Sequence, residues 1–300
     1  MVYSVADLGP SANKFPRHPS KYTDDLRASP LLKGLPKISF PSRTFLAISL
    51  AAISASFGTC VLWAADNPFV GNWKLNPSRS KLTDVMKVES LGGNKYTFNF
   101  GSGPETIVLD GTDQPGHYGG TLSVAIDEDT WKVTRKRDGR TLISAIWSLS
   151  EDGNTLTDHF TGFKADGSSY SLNYVYKRKG AGSGFSGEWV STTETVNSVI
   201  TLQVRPYEGD GLSFVEPAID VTRNVKFDGK DYPNGGPNAT PGATSSIRRV
   251  NEHAVEMTYK INGNVLYTQQ IELSPNMKTL TVTRRIVGET EPNIRVFERQ

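Results

Sequence analysis

The pentapeptide Phe69-Val70-Gly71-Asn72-Trp73 recurs 116 residues later as Phe185-Ser186-Gly187-Glu188-Trp189. Both copies have the pattern Phe-x-Gly-x-Trp, and each precedes a stretch of short segments in which polar and apolar residues alternate. An internal repeat of this length predicts two copies of one structural unit. The chain is therefore interpreted as a duplication, and each half is compared with the other.

The two copies align well beyond the opening motif. Residues 110–115 (Asp-Gly-Thr-Asp-Gln-Pro) correspond to residues 228–233 (Asp-Gly-Lys-Asp-Tyr-Pro), and residues 130–160 correspond to residues 254–284 without a gap. The offset grows from 116 to 124 along the chain, which places insertions in loops. The alignment predicts one module at residues 66–178, a flexible Gly-rich linker at 179–184 and a second module at 185–300.

Both modules have the sequence pattern of β-strands. Apolar residues alternate with polar ones, as in Tyr96, Phe98 and Phe100, and helical periodicity is absent. Asp138-Gly139 and Asn262-Gly263 are typical of tight hairpin turns. Such strands bury one face and expose the other, as in antiparallel sheets. Their spacing predicts an all-β fold, either a sandwich or an up-and-down barrel.

The N-terminal part of the chain differs from the modules. Residues 1–43 are polar and Pro-rich, and we expect a disordered leader there. Residues 44–65 carry no charge, follow Arg43 and end in small residues, an order typical of a secretory signal peptide. An uncleaved membrane anchor at 44–65 is the alternative, and Cys60 as a lipid-modified cysteine is another. We therefore expect an exported protein, located in the periplasm, the envelope or outside the cell.

Composition excludes several classes of function. The formal net charge of +2 and the mixed distribution of charges argue against nucleic-acid binding. The single cysteine rules out an intramolecular disulfide, and the four histidines (His18, His117, His159, His253) fall at no metal-ligand spacing. We expect no cofactor, no metal and no catalytic residues, because no nucleophile motif is present.

A Phe-x-Gly-x-Trp strand at the head of a β-meander that ends in an arginine resembles the lipocalins and their avidin-like relatives. The resemblance implies two tandem antiparallel up-and-down barrels of eight strands, each closed at one end by the tryptophan. It also implies that a basic residue of the last strand packs across the indole, which would pair Trp73 with Arg178 and Trp189 with Arg299. Stacking of an arginine on an indole contributes about 0.5–2 kcal/mol.

The modules are also similar to small bacterial exported domains that begin Gly-x-Trp-Lys-Leu-Asn and continue with an Asp-Gly-Lys-Asp-Tyr-Pro loop. Residues 71–81 carry the first element and residues 228–233 the second. These motifs are short, and they specify a fold rather than a ligand.

Inward-facing side chains are the candidates for ligand binding, since an eight-stranded barrel can hold one small molecule or be filled by its own side chains. The candidates, taken from the apolar face of the strands, are Tyr96, Phe98, Phe100, Ile143, Trp147, Asp158, Met257, Tyr259, Tyr267, Gln269 and Arg284. Asp158 and Arg284 lie on apolar faces, where an unpaired charge is unfavourable. Each then needs a partner, a ligand, or a place at a rim that reaches water.

The sequence predicts an exported protein that holds a small apolar or amphipathic ligand in its barrels. We expect residues 110–120 and 230–246 to edge the mouth of the pocket. The alternative is a structural or interaction module of the cell envelope with filled barrels, whose protein partner is unknown. A third hypothesis, an enzyme with its site in the barrel cavity, would be favoured by a buried Asp158 beside another titratable group.

Overall fold

The computed structural model describes residues 67–101 and 103–300. The expected leader, the signal peptide or anchor, and Cys60 lie outside the described residues. In the described part of the chain no helix has the length and apolar character needed to cross a membrane.

The described chain folds into twenty strands and two short 3-10 helices, Pro77–Arg79 and His117–Gly119. The strands are β1 (Gly71–Leu75), β2 (Val85–Ser90), β3 (Lys95–Asn99), β4 (Pro104–Val108), β5 (Gln114–Pro115), β6 (Thr121–Asp127), β7 (Thr130–Arg137), β8 (Arg140–Leu149), β9 (Thr155–Phe163), β10 (Ser169–Ser183), β11 (Ser186–Val196), β12 (Thr201–Tyr207), β13 (Gly211–Glu216), β14 (Val221–Val225), β15 (Tyr232–Pro233), β16 (Ala243–Asn251), β17 (Ala254–Ile261), β18 (Asn264–Leu273), β19 (Thr279–Ile286) and β20 (Asn293–Arg299).

The strands form two antiparallel up-and-down barrels, which confirms the all-β prediction. Barrel 1 contains β2 to β11, and barrel 2 contains β12 to β20 together with β1. Barrel 2 is closed by a bridge between Thr222 and Gly235, and barrel 1 is nearly closed. Each sheet has ten strands rather than the expected eight, and one of the ten, β5 or β15, has only two residues.

The two modules exchange their first strands. Trp73 of β1 pairs with Leu202 of β12 and with Arg299 of β20, all in barrel 2. Strand β11, which opens the second module, pairs with β10 and β2 in barrel 1. Barrel 1 is thus built from residues 85–196 without interruption, whereas barrel 2 needs a strand from the start of the chain.

This exchange corrects the predicted boundary between the modules. The segment 179–184, expected to be a flexible linker, instead lies largely in β10, which runs from Ser169 to Ser183 and turns directly into β11. The turn is made at Gly184, whose positive φ of 52° suits a glycine. A turn this tight keeps β11 beside β10, so β11 cannot begin the second barrel.

The exchange also shows that the expected tryptophan–arginine pairs are wrong. Arg178 lies over Trp189 and Arg299 lies over Trp73, each with its guanidinium carbon 4.2 Å from the ring centroid. The contact is of the expected type, but each arginine meets the tryptophan that the exchange brings into its own barrel. Both indoles are fully buried. We call this end of each barrel its capped end.

The geometry of the capped end explains the motif Phe-x-Gly-x-Trp. The indole N–H of each tryptophan donates to the carbonyl oxygen of the phenylalanine four residues earlier, at 3.0 Å for Trp73 and 2.9 Å for Trp189. A Cβ atom on Gly71 or Gly187 would lie 2.7 Å from the arginine that covers the indole. Glycine is therefore required, because any side chain would displace that arginine.

The open ends of the two barrels, opposite the capped ends, face each other. The chain crosses between the barrels in residues 76–84 and 197–200, and the first of these segments ends inside barrel 1, where Asp84 bonds to Ser191 of β11. Arg140 donates to the Pro237 carbonyl, and the Ala165 amide donates to Asp220 at 2.7 Å. We call this junction the seam.

Candidate functional site

A cavity of about 500 Å³ occupies the open half of barrel 1 and reaches the seam. Strands of barrel 1 provide most of its wall, and loops and strands of barrel 2 provide the part at the seam. The residues that line the cavity include Asp84, Phe100, His117, Tyr118, Arg135, Arg137, Ile143, Ala145, Trp147, Asp158, Phe160, Tyr170, Tyr174, Tyr176, Arg223, Asn234 and Tyr259.

Aromatic rings form the wall of the cavity inside barrel 1. The alternation of β9 and β10 points Phe160 and Tyr174 inward, and their rings meet edge to face at 6.2 Å. Phe100 contacts Trp147 in the same manner at 6.0 Å. Aromatic pairs of this kind are rigid and contribute about 0.5–1.5 kcal/mol each. The wall is therefore apolar, and its shape is largely fixed by the barrel.

Asp158 lies in the middle of β9 and is buried, with 5% of its surface exposed. It is paired across the sheet with Trp147 on one side and with Tyr174 on the other. Neither Asp158 Oδ1 nor Trp147 Nε1 makes a hydrogen bond to the described residues. Burial, together with the charge of Asp84, raises the pKa of Asp158 to about 7, although the nearby Trp147 indole lowers it. The expectation of a rim position in contact with water is wrong for Asp158.

A second buried carboxyl group, Asp84, lies in the segment that connects the barrels. Its Oδ2 accepts a hydrogen bond from the Tyr176 hydroxyl at 2.7 Å, and its amide donates to Ser191 Oγ at 2.7 Å. Burial raises the pKa of Asp84, while Tyr176 and Arg295 oppose the shift. Two carboxyl groups thus share the inner end of the cavity, and the charge of Asp84 favours the protonated form of Asp158.

The interior of barrel 2 is filled. Buried apolar side chains occupy it, and a void bordered by Glu216 and three arginines, Arg223, Arg284 and Arg295, has a volume of about 30 Å³. Burial opposes ionisation of Glu216, but the charges of these arginines outweigh it and lower its pKa to about 2. Arg284 lies 4.6 Å above the ring of Tyr267. Arg284 therefore has partners inside the barrel rather than at a rim.

The structure separates the eleven candidate residues. Five of them line the large cavity, namely Phe100, Ile143, Trp147, Asp158 and Tyr259. Met257, Gln269 and Arg284 border the small void of barrel 2. Tyr96 and Phe98 do not line either space and pack in the barrel 1 core, Tyr96 against Trp131. Tyr267 stacks on Tyr259 with ring centroids 4.5 Å apart.

The two segments expected at the mouth both contribute to the cavity wall at the seam. His117 and Tyr118 come from residues 110–120, and Asn234 comes from residues 230–246. The His117 ring contacts the Gly103 carbonyl at 3.2 Å, and its amide donates to Glu105 at 2.5 Å. These contacts hold the first segment against β4.

The residues missed from the sequence are Asp84, Arg137 and Arg223, and Asn234 is expected only as part of the segment 230–246. Asp84 lies outside any alternating segment, so no pattern distinguished it. Arg137 lies on the inward face of β7, two residues beyond Arg135, but a charge at a hairpin end is typical of a solvated turn. Arg223 and Asn234 reach the cavity from the other barrel, a contact that no repeat pattern predicts.

The fold and the cavity define the class: a tandem β-barrel protein with one hollow and one filled barrel. Comparisons of the chain with protein-family models, with curated proteins and with solved structures give no significant match. Among the residues that the structure describes, no group of three or more His, Cys, Asp or Glu side chains has a geometry that holds a metal ion.

Proposed function

We propose that the chain is an exported binding protein that holds one small, mainly apolar molecule in barrel 1. The observation that carries this proposal is the cavity of about 500 Å³ with aromatic walls, which lies within the range of small-molecule sites, about 300–1,000 Å³. The unpaired atoms of Asp158 and Trp147 add an acceptor and a donor at its inner end. Buried polar groups are normally hydrogen-bonded, so a polar group of the ligand would complete this arrangement.

One contact in the structure and one feature of the sequence support a relationship to the lipocalins and export of the protein. The tryptophan capped by an arginine in each barrel favours a relationship to the lipocalins. The uncharged run 44–65 favours export, followed by cleavage or by anchoring in a membrane.

Native mass spectrometry of the full chain purified from its own host tests both parts. We expect an intact mass that corresponds to cleavage near Ala65, and one small molecule released per chain on denaturation. A lipid on Cys60 or an uncleaved chain would contradict the cleaved form.

Substitution of Trp147 tests the location of the site. Trp147→Ala should change the affinity for the uncharged fluorescent probe N-phenyl-1-naphthylamine, because Trp147 forms part of the cavity wall. The matched control is Ile271→Ala, which alters the position that corresponds to Trp147 in barrel 2. If both variants bind the probe as the parent does, the cavity of barrel 1 is not the binding site.

The buried pair Asp84 and Asp158 favours a second candidate, acid–base catalysis in the same cavity. Burial raises the pKa of both groups, that of Asp158 to about 7, so Asp158 can exchange a proton near neutral pH. A released molecule that is chemically altered by the parent but not by Asp158→Asn would favour the enzyme. The alternative function, an envelope module with filled barrels, is supported only by the packed interior of barrel 2.

A further inference from the structure

Three hydrogen-bond donors in residues that line the cavity near the seam have no acceptor among the described residues. They are Arg137 Nη2 of barrel 1, and Asn234 Nδ2 and Arg223 Nε of barrel 2. All three atoms are shielded from bulk solvent. Buried donors of this kind normally have a partner, so their convergence on one end of one cavity indicates an acceptor-rich group.

Three neighbouring basic groups at this end already have carboxylate partners. Arg135 makes two hydrogen bonds to Glu105, at 3.0 and 2.5 Å, and Lys136 pairs with Asp113 at 2.9 Å. Arg223 pairs with Glu216 through Nη1, and its Nε has no acceptor among the described residues. Among the residues that the structure describes, Arg137 has no carboxylate partner, so its charge is not compensated by an ion pair there.

The side-chain amide of Asn234 has a defined orientation. Its Oδ1 accepts a hydrogen bond from Ser245 Oγ at 2.8 Å, so Nδ2 is left as the free donor. Arg140, which faces Arg137 across the β7–β8 hairpin, bonds to Pro237 and Asn238. These bonds hold the Arg137 hairpin against the segment that carries Asn234.

Arg137 at the seam lies far from Asp158, which is paired with Trp147 at the inner end. Trp147 is paired with Trp131 on β7, and Arg137 lies six residues further along the same face of that strand. At about 3.3 Å per residue, this is roughly 20 Å of strand. Between the two ends the wall consists largely of aromatic and aliphatic side chains, such as Phe160, Ile143 and Tyr170.

We propose that the seam binds the acidic head group of an elongated organic anion, a carboxylate or a sulfonate, whose apolar body lies along the aromatic wall of barrel 1. Arg137 supplies the charge and Asn234 and Arg223 supply further donors, so the head group contacts both barrels. This inference rests on the proposed function, since it assigns the ligand class for the same cavity. Charge-assisted hydrogen bonds of arginine to an oxyanion are short and strong, and they favour an anion over a neutral group.

A matched pair of fluorescent probes tests the assignment on the full chain. 1-Anilinonaphthalene-8-sulfonate carries a sulfonate, and N-phenyl-1-naphthylamine has the same aromatic skeleton without a charge. We expect the parent to bind both, and to bind the sulfonate probe more tightly. Arg137→Gln should weaken the sulfonate probe at least about tenfold and leave the uncharged probe within about twofold.

A second variant and a control keep the test independent of any effect on folding. Asn234→Asp retains the oxygen that accepts from Ser245 and replaces the free donor by a charged acceptor, so it should also weaken only the sulfonate probe. Lys132→Gln removes one positive charge from the exposed face of the same strand as Arg137, and it should change neither affinity. Near-ultraviolet circular dichroism and a stoichiometry of one probe per chain establish that each variant is folded.

The outcomes are distinct. Selective loss of the sulfonate probe in Arg137→Gln and Asn234→Asp supports the anionic head group. Equal affinity of both probes for parent and variants overturns it while the cavity remains a binding site. Failure of the parent to bind either probe overturns both this inference and the proposed function.

Discussion

Barrel 1 and barrel 2 descend from one repeated sequence, yet one is hollow and the other is filled. The difference lies in a few inward positions of equivalent strands. Ala145 of barrel 1 corresponds to Gln269 of barrel 2, and Phe160 corresponds to Arg284. Gln269 and Arg284 occupy the centre of barrel 2, whereas Ala145 and Phe160 border the cavity. The backbone of this barrel therefore does not decide whether it has a cavity.

The two interiors also treat charge differently. In barrel 2 Glu216 lies among arginines and stays ionised, as its lowered pKa shows. In barrel 1 Asp158 has no cationic partner within the described part of the chain, and its pKa is raised to about 7. In a filled interior, neighbouring side chains can pair with a buried charge, whereas in a hollow interior a bound molecule can provide the missing partner.

The largest effect should follow from removing the capping tryptophans. Trp73→Ala and Trp189→Ala should each cost about 3–5 kcal/mol of unfolding free energy, because both indoles are fully buried. Hydrogen exchange measured by mass spectrometry should show lost protection in β12–β20 for Trp73→Ala and in β2–β11 for Trp189→Ala. The reverse assignment would contradict the exchange of first strands.

Filling barrel 1 should remove the contrast between the barrels. Ala145→Phe places a ring in the cavity beside Trp147, and it should lower the affinity for N-phenyl-1-naphthylamine at least about tenfold, or about 1.4 kcal/mol. Fluorescence titration measures this change. Gln269→Leu, at the equivalent position of barrel 2, is the control and should bind the probe as the parent does. An unchanged affinity of Ala145→Phe would place the probe elsewhere.

The pH dependence of stability should identify Asp158 as the unbalanced charge. Between its ordinary pKa of 3.8 and its folded value of about 7, the folded chain holds a proton that the unfolded chain has released. The stability from Asp158 is therefore present at low pH and lost as the pH rises towards 7, by at most about 1.4 kcal/mol per pH unit.

Thermal unfolding of the parent and Asp158→Asn at pH 5 and pH 8 measures this dependence. The difference in Tm between the variant and the parent should be a few degrees more favourable to the variant at pH 8 than at pH 5. Asp84 and Glu194, whose pKa values are also raised, remain in both proteins. The exposed substitution Asp129→Asn should show no such gain. If the Tm of Asp158→Asn changes with pH in the same way as the Tm of the parent, Asp158 is ionised in the folded state.

The smallest effect concerns the seam. Arg140→Ala removes hydrogen bonds to Pro237 and Asn238, and it should cost about 0.5–1.5 kcal/mol in urea unfolding. Because these bonds join the barrels, we expect their unfolding transitions to separate slightly. A single unchanged transition would show that the barrels are held together by other contacts.

The sequence predicts the strands and many of the inward residues because both depend on alternation. Trp147 and Asp158 are recognisable in this way, since each shares a face with apolar neighbours. Strand exchange is not recognisable, because β1 and β11 carry the same motif and have the same local preference. The partner of each is decided by the tight turn at Gly184. Arg223 could not be found for a related reason, since it reaches the cavity only after the barrels meet at the seam.

Strand exchange also sets a waiting time during synthesis. Barrel 1 is complete in sequence once Val196 has been made, but β1 is made first and needs β20, whose Arg299 bonds to the Val70 carbonyl 229 residues away. At about 5–20 residues per second, translation leaves β1 without this partner for on the order of ten to forty-five seconds. During that time β1 and β11 compete for the edge of β2, and β11 has the advantage of its short tether to β10. The order of synthesis gives β1 the first access to β2, so the tight β10–β11 turn, rather than that order, favours the exchanged arrangement.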